Sequence, residues 1–321
     1  MALSRCSSPE ILPPDRIIHC APTARRDSWS SKHVIVEDLS NGQELYPVRV
    51  WNSLDKETVK PFDYITGIET FPNYQRTPVI CDCEDGCDSN CKCMFDAFDV
   101  TGYPDIPYDE KTGRLTIRCQ NKWASSHRIL WECSAACKCG PDCPSRSAQL
   151  GIRFQLEVFQ TSKKGWGVRP LRDIPKGSFI AEYAGQMRCA KDEAYEYNES
   201  DWYSFDITSE EGVTNFYIDA SQKGNIARFI NHSCDPNLIA VHVFYDDNNP
   251  QMGMHICFYA SEDIKEGKEL CFDYGNSYWE AKMKQNIGCE CGSTKCQYRR
   301  GKKRSGKIRR KAKVDSGPTL D

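Results

Sequence analysis

Hydrophobic residues in this chain come in many short runs separated by turn residues. Short runs of β-branched and aromatic residues between turns predict β-strands. Such runs predict strands at Val34–Val36, Val48–Trp51, Phe62–Ile68, Phe154–Phe159, Ser178–Tyr183, Phe216–Asp219, Ala240–Tyr245 and His255–Ala260. A glycine-flanked loop is predicted at Thr161–Val168 and a short helix at Cys189–Tyr197. Many short strands with few helices predict a mostly β fold.

Cysteine is the most unusual feature of the composition, with 19 in 321 residues. Nine lie in two dense clusters spaced C-x-C-x3-C-x3-C-x-C and C-x3-C-x-C-x3-C: Cys81, Cys83, Cys87, Cys91 and Cys93, then Cys133, Cys137, Cys139 and Cys143. Cysteines this close would make strained disulfides. Thiolates at such spacing converge readily on tetrahedral Zn²⁺.

Nine cysteines are too few for three separate four-sulfur sites, but they suffice if three sulfurs each bridge two ions. The spacing therefore predicts a three-zinc, nine-thiolate cluster, with a disulfide arrangement as the alternative. Cys119 lies between the two clusters and could displace one of the nine.

A third group of cysteines follows the predicted strands, spaced C-x-C-x4-C at Cys289, Cys291 and Cys296. Three thiols leave a tetrahedral zinc one ligand short. The best candidate for the fourth ligand is Cys234, within the stretch Arg228–Asn237 that reads R-F-I-N-H-S-C-D-P-N. That stretch combines a cation, an Asn-His pair and an Asp-Pro-Asn turn, so it is expected to form part of a binding site.

The bulk composition is that of a soluble globular protein, with 39% hydrophobic and 27% charged residues. No apolar run suggests a membrane span or a signal peptide, which favours a cytoplasmic or nuclear protein. The net charge of −3 hides ten Lys or Arg and no acid between Arg299 and Lys313, which leaves residues 1–298 acidic. This basic end is either a solvated disordered tail or a nuclear-localisation or nucleic-acid-contacting segment.

Taken together, these blocks resemble a SET-domain protein-lysine methyltransferase of the suppressor-of-variegation 3-9 class. The resemblance covers roughly residues 34–298 and includes all cysteine groups, Gly165–Gly167, Glu182–Gly185, Arg228–Asn237 and Glu269–Gly275, in order. It implies a SET fold of small curved sheets, in which Arg228–Asn237 and Glu269–Gly275 meet in a knot-like crossing. It also implies a division of the chain into a disordered start (1–33), a packing segment (34–80), a pre-SET region (81–147), a SET domain (148–275), a post-SET region (276–300) and a basic disordered tail (301–321).

The resemblance implies S-adenosylmethionine-dependent methylation of lysine 9 of histone H3, in the nucleus, on the chromosome, linked to chromatin repression. The implied cofactor contacts are Lys164, Gly165, Trp166, Tyr203, Arg228, Asn231, His232, Tyr274 and Glu290. The implied channel for the target lysine consists of Tyr274, the main catalytic tyrosine, with Tyr183 and Phe272. A phenylalanine at 272 leaves room for di- or trimethylation. Four zinc ions per chain are implied, three in the pre-SET region and one in the post-SET region.

The implied substrate is an extended peptide added to a strand edge. Asp206 matches a position that faces the arginine before the target lysine, and it lies among other acids: Asp192, Glu193, Glu196, Glu199, Asp201 and Glu210.

Three alternatives remain open: methylation of another protein lysine, a catalytically inactive zinc-scaffolded chromatin-binding module, and zinc-finger DNA binding. The last is disfavoured because both clusters lack the histidines and recognition helix that it uses.

Overall fold

The computed structural model describes residues 31–84, 87, 91–93, 107–116, 129–190, 202–208 and 214–299. The strands are β1 Val34–Val36, β2 Arg49–Trp51, β3 Asp63–Tyr64, β4 Ile129–Trp131, β5 Leu156–Gln160, β6 Trp166–Pro170, β7 Phe179–Glu182, β8 Gln186–Cys189, β9 Ser204–Thr208, β10 Thr214–Asp219, β11 Lys223–Gly224, β12 Asn231–His232, β13 Leu238–Phe244, β14 His255–Ala260 and β15 Cys271–Phe272. Helix α1 spans Asn276–Lys284, and 3-10 helices span Ser31–His33, Ala148–Leu150 and Ile226–Phe229. None of the helices in the described ranges has the length and apolar character needed to cross a membrane.

The strands form several small sheets, which confirms the predicted mostly β fold. Two sheets have four strands, in the orders β1-β2-β5-β6 and β4-β13-β14-β7, and one has three, in the order β8-β10-β9. β3 pairs with β11, and β12 pairs with β15. Apolar side chains from all the larger sheets meet in one core, whose fully buried members include Val158, Ile180, Ile218, Phe258 and Leu270.

Two local predictions are wrong. Thr161–Val168 is not a loop throughout, because the turn ends at Gly165, with φ +64°, and β6 begins at Trp166 and pairs with β5. Cys189 does not start a helix, because it pairs with Phe216 across β8 and β10. The remainder of that predicted helix lies almost wholly outside the described residues.

The stretch Arg228–Asn237 lies directly against Glu269–Gly275. β12 and β15 pair in parallel, with Asn231 opposite Cys271 and His232 opposite Phe272. The Asn237 side chain fixes the same register, since its Oδ1 accepts from the Cys271 N–H at 2.8 Å and its Nδ2 donates to the Glu269 carbonyl at 2.9 Å. Two segments whose paired residues lie 40 positions apart in the chain are thereby joined by backbone and side-chain hydrogen bonds.

Residues 34–80 run along the body formed by the later strands. β2 pairs in parallel with β5, and β3 pairs in parallel with β11. Arg76 forms an ion pair with Asp246. Buried Val50 and Tyr64 join the same core as the strands of the SET region.

Candidate functional site

A cleft of about 1090 Å³ opens between the turn before β6, the Ile226–Phe229 helix, α1 and residues 286–292. All nine residues expected to contact a cofactor line it: Lys164, Gly165, Trp166, Tyr203, Arg228, Asn231, His232, Tyr274 and Glu290. They come from five separate parts of the chain. The fold therefore brings the whole predicted set to one concave surface.

Close packing of backbone against a polar cluster forms one wall of the cleft. A Cβ added at Gly167 would lie 2.8 Å from Glu269 Oε1 and 3.3 Å from Asn231 Nδ2, so a side chain here would displace the Glu269 carboxylate. Glu269 accepts from Lys164 Nζ at 2.7 Å through Oε2 and from Asn231 Nδ2 at 2.9 Å through Oε1. The Asn231 amide also donates to the Trp166 carbonyl at 2.9 Å. The carboxylate of Glu269 thus orients two of the predicted cofactor residues, a role that its position in the E-L-C-F-D-Y-G motif did not reveal.

His232 lies at the meeting point of the cleft, Tyr274 and a group of thiols. Its Nδ1 accepts from the Tyr274 backbone N–H at 3.1 Å, and its Nε2 lies 3.3 Å from Cys234 Sγ. Burial lowers the pKa of His232 to about 4, so the ring is neutral near pH 7. Because Nδ1 is an acceptor, the neutral ring carries its proton on Nε2, facing the sulfur.

Aromatic rings form a continuous group directly behind Tyr274. The Phe272 ring centroid lies 4.6 Å from that of Tyr274 and 4.6 Å from that of Phe258. Phe205 stacks on Phe272 at 5.8 Å and lies 5.4 Å from Tyr183. The predicted residues Tyr183 and Phe272 are therefore brought together with Tyr274, although neither lines the cleft itself. Sequence reasoning missed Phe205, whose only signal was its place directly before Asp206.

The two tyrosine hydroxyls in this group are fixed by backbone carbonyls. Tyr274 donates to the Ile230 carbonyl at 2.8 Å, and Tyr183 donates to the Tyr203 carbonyl at 2.7 Å. Burial raises the pKa of both Tyr274 and Tyr183 well above that of a free phenol. Both groups are therefore neutral near pH 7, with their protons committed and their oxygen lone pairs free to accept.

Asp206 lies on β9, at the edge of the three-stranded sheet within the described residues. Its side chain is exposed, although desolvation by its surroundings raises the pKa of its carboxyl. The acids at 192, 193, 196, 199, 201 and 210 lie outside the described residues.

The first two cysteine clusters converge on one buried group. Sulfur pairs lie 3.4 Å apart for Cys87 and Cys133, 3.7 Å for Cys81 and Cys87, and 3.8 Å for Cys91 and Cys133. Tetrahedral zinc with Zn–S bonds of about 2.3 Å requires sulfurs about 3.8 Å apart, whereas a disulfide requires about 2 Å. All described cysteines are free thiols, so the disulfide alternative is wrong for them.

The grouping of these sulfurs fits shared ligands. Three sets of four lie within 4.8 Å of one another: Cys81, Cys87, Cys133 and Cys139; Cys81, Cys91, Cys93 and Cys133; Cys81, Cys83, Cys87 and Cys91. Cys81 belongs to all three sets. Cys137 lies 3.6 Å from Cys93, and Cys143 is buried in the same cluster. The cluster could hold zinc with bridging thiolates, and Cys119 lies outside the described residues.

The third cysteine group closes one end of the cleft. Cys234 joins Cys289, Cys291 and Cys296, with all four sulfurs within 4.8 Å of one another. Cys234, the predicted fourth ligand, therefore lies beside the other three thiols, and the group could hold one zinc ion. Because Cys289 and Cys291 also line the cleft, such an ion would tie the C-terminal segment to the cofactor wall.

The chain matches the Pre-SET motif over residues 40–146 and the SET domain over residues 165–275. Among curated relatives, it is 38% identical to the H3 lysine-9 specific histone-lysine N-methyltransferase SUVH5 of Arabidopsis thaliana, over 82% of this chain and 32% of that protein. It is 31% identical to the histone-lysine N-methyltransferase SETMAR of Mus musculus, over 81% of this chain and 87% of that protein. The chain spans about a third of SUVH5.

Solved structures agree with the sequence matches. SUVH6 of Arabidopsis thaliana in complex with SAM superposes with a TM-score of 0.71 at 32% identity, over 83% of this chain and 56% of that one. KRYPTONITE in complex with mCHH DNA, H3(1-15) peptide and SAH gives 0.68 at 33% identity, over 84% and 54%. The chain therefore belongs to the SET-domain histone-lysine N-methyltransferases that carry a pre-SET motif.

Proposed function

We propose that this protein transfers methyl groups from S-adenosylmethionine to lysine 9 of histone H3. The observation that carries the proposal is the junction at Tyr274, where the cleft lined by the nine predicted cofactor residues meets the aromatic group of Tyr183, Phe205 and Phe272. Similarity to the H3 lysine-9 specific SUVH5 and to KRYPTONITE, which was solved with an H3(1-15) peptide, supports the choice of histone H3.

The cleft residues fit S-adenosylmethionine, which supplies an electrophilic methyl group when bound. Lys164, Trp166, Asn231 and His232 would hold it along the wall that Glu269 orients, and Tyr203 and Arg228 also line the cleft that would receive it. Gly165 lines the cleft with open space beside its Cα, so a ligand can approach the backbone there, whereas Gly167 makes room for Glu269 instead.

The aromatic channel prepares the attacking lysine. A free lysine has a pKa near ~10.4, and transfer into apolar surroundings favours its neutral, nucleophilic form. The oxygens of Tyr274 and Tyr183 accept hydrogen bonds from the amine because their own protons are donated to carbonyls. Since both phenols are neutral, they orient the amine rather than remove its proton.

Phe272 sets the space around the amine. Its ring has no hydroxyl to hold a water molecule, so we propose that the channel accommodates di- or trimethylation. The edge of β9 would receive the extended peptide by strand addition, with Asp206 facing the arginine before the target lysine. We place the protein in the nucleus on chromatin, where the basic tail of residues 301–321 would contact nucleic acid or serve as a localisation signal.

We also propose four zinc ions per chain, three shared by the nine clustered cysteines and one held by Cys234, Cys289, Cys291 and Cys296. Elemental analysis of the purified, folded protein should find about four zinc ions per chain. A clearly lower content would contradict the bridged cluster.

A labelled-methyl assay on histone H3 tail peptides tests the function. Label should enter the peptide with lysine 9 and not the peptide in which alanine replaces it, and Tyr274→Phe should reduce transfer severely. Labelling that survives the loss of lysine 9 would contradict the substrate and favour another lysine. No labelling of any histone or chromatin extract would favour an inactive binding module.

A further inference from the structure

The guanidinium of Arg228 is buried against aromatic rings from different parts of the chain. Its Cζ lies 3.9 Å from the Tyr203 ring centroid, 4.3 Å from that of Phe62 and 4.9 Å from that of Phe229. Its Nε donates to the Ala220 carbonyl at 2.7 Å. Arg228 is only 7% exposed, so these contacts are largely desolvated. Cation–π contacts are strongest in such surroundings.

Phe62 is the member of this group that comes from outside the matched SET domain. It immediately precedes β3, which is fixed on β11 by the Asp63 N–H donating to the Gln222 carbonyl at 2.8 Å and the Ile65 N–H donating to the Gly224 carbonyl at 2.9 Å. The Phe62 ring also packs edge-on against Phe229 at 5.8 Å. The backbone pairing thus fixes the Phe62 ring against the Arg228 side chain.

The contacts of Arg228 continue to the catalytic hydroxyl. Arg228 and Tyr203 both line the cleft, and the Tyr203 carbonyl accepts from the Tyr183 hydroxyl at 2.7 Å. The same carbonyl accepts from the Ala220 N–H at 2.9 Å. A displaced Arg228 would therefore loosen a wall of the cleft and the acceptor that orients Tyr183.

We infer that Phe62 is a positioning residue for methyl transfer, acting through Arg228 on the cofactor wall and on Tyr183. The inference rests on the proposed function for its effect on catalysis, but its effect on cofactor binding requires no knowledge of the methylated substrate. It assigns a role in the active site to the segment that precedes the cysteine clusters.

Phe62→Leu tests the inference, because leucine retains apolar bulk but removes the ring face. The matched control is Phe71→Leu. Phe71 lies in the same segment, is also half-buried, and packs edge-on against Phe216 at 6.0 Å without lining the cleft. Both variants should lose thermal stability, since each removes an edge-on contact between aromatic rings. The cation–π contact holds Arg228 in place before the cofactor binds, and a desolvated contact of this kind is worth about 2 kcal/mol. Without it, part of that energy is needed to order Arg228 when S-adenosylmethionine binds, so Phe62→Leu should weaken binding by roughly 3- to 30-fold in calorimetry, and Phe71→Leu should not.

Two further measurements separate positioning from general stability. In the Arg228→Lys background, Phe62→Leu should have little additional effect on cofactor binding, since lysine cannot stack as arginine does. With peptide substrate, Phe62→Leu should raise the KM for the cofactor and lower kcat while leaving the peptide KM near that of wild type. Equal cofactor binding by the two leucine variants, or fully additive effects with Arg228→Lys, would overturn the inference.

The outcomes also separate this inference from the proposed function. A wild-type protein that binds cofactor without methylating histone H3 would reject the function, while the binding comparison would still decide the role of Phe62. A wild-type protein that binds no S-adenosylmethionine would reject both.

Discussion

Glu269 offers the sharpest test of how the cleft is organised. Its carboxylate accepts from two donors at once, Lys164 Nζ and Asn231 Nδ2, and both donors line the cleft. Glu269→Gln preserves the size and shape of the side chain, but an amide has a single acceptor oxygen. At least one of the two donors must then face an NH₂ group. The substitution therefore removes a hydrogen bond and the charge that pairs with Lys164 without creating a cavity.

The degree of burial sets the size of the effect. The side chains of Lys164 and Glu269 are 18% and 23% exposed, so solvent screens their attraction only partly. Hydrogen bonds to charged groups contribute about 1.5–3 kcal/mol, which solvent screening at this site reduces to about 1–2 kcal/mol. Since about 1.4 kcal/mol corresponds to tenfold in affinity, Glu269→Gln should weaken S-adenosylmethionine binding by roughly 5- to 30-fold.

Isothermal titration of S-adenosylmethionine into the folded, zinc-loaded protein measures this loss. The control is Glu262→Gln, which breaks the ion pair between Glu262 and Lys268, at 2.6 Å, whose side chains are 51% and 53% exposed. Surface pairs of this kind contribute about 0–1 kcal/mol, so the control should bind almost as wild type. Equal affinities for the two glutamine variants would refute the idea that Glu269 orients the cofactor wall.

Three other substitutions have distinct expected outcomes. Phe272→Tyr should shift the product toward monomethyl-lysine in mass spectra, because a hydroxyl can hold water in the channel; an unchanged product distribution would contradict this. Lys282→Met should weaken cofactor binding about 2- to 10-fold, because the Lys282 ammonium lies 4.1 Å from the Trp202 ring centroid at the rim of the cleft. The same substitution should have a smaller effect beside Trp202→Ala, where the Lys282 ammonium keeps its position 5.5 Å from the Tyr278 ring centroid. Burial raises the pKa of the Glu44 carboxyl to about 7, so folding favours its protonated form and stability falls as the pH rises from about 4.5 to about 7. The stability of Glu44→Gln relative to wild type should therefore increase between about pH 5 and pH 7, by roughly 2 kcal/mol in denaturant titrations; a difference that does not change with pH would contradict the assignment.

The cysteine groups that could hold zinc were predictable because zinc geometry limits cysteine spacing. Thiolates one to four residues apart have few other uses inside a protein. Nine thiolates are three fewer than three separate four-sulfur sites need, which indicated that some sulfurs bridge two ions. Cys234 could be predicted as a fourth ligand because three thiols alone leave a tetrahedral zinc one ligand short. The structure brings these sulfurs together at the separations that such sites need.

The residues that contact and orient the predicted site residues were not themselves predictable from motifs. Phe205, Glu269 and Phe62 act through contacts between segments far apart in the chain, and no local pattern encodes such contacts. The sequence predicts a loop where β6 begins, because glycines such as Gly165 and Gly167 are typical of turns. One glycine supplies the positive φ of the turn, and the other makes room for Glu269 within a strand.

Helix α1 was missed for a related reason. Its buried face consists of Trp279 and Lys282, one turn apart, which gives only a weak amphipathic pattern. The helix is held by tertiary contacts, including Trp279 stacked on Tyr298 at 5.5 Å and packed on His232 at 4.8 Å. Tertiary packing here overrides a poor local signal.

Mass spectrometry of a histone H3 tail peptide tests the central claim most directly. The peptide is incubated with the protein and S-adenosylmethionine, and fragmentation then locates each added methyl group. Two or three methyl groups on lysine 9 alone, and almost none with Tyr274→Phe, are the expected result. Methyl groups on a different lysine, or an unmodified peptide after incubation with folded, cofactor-bound protein, would contradict the account.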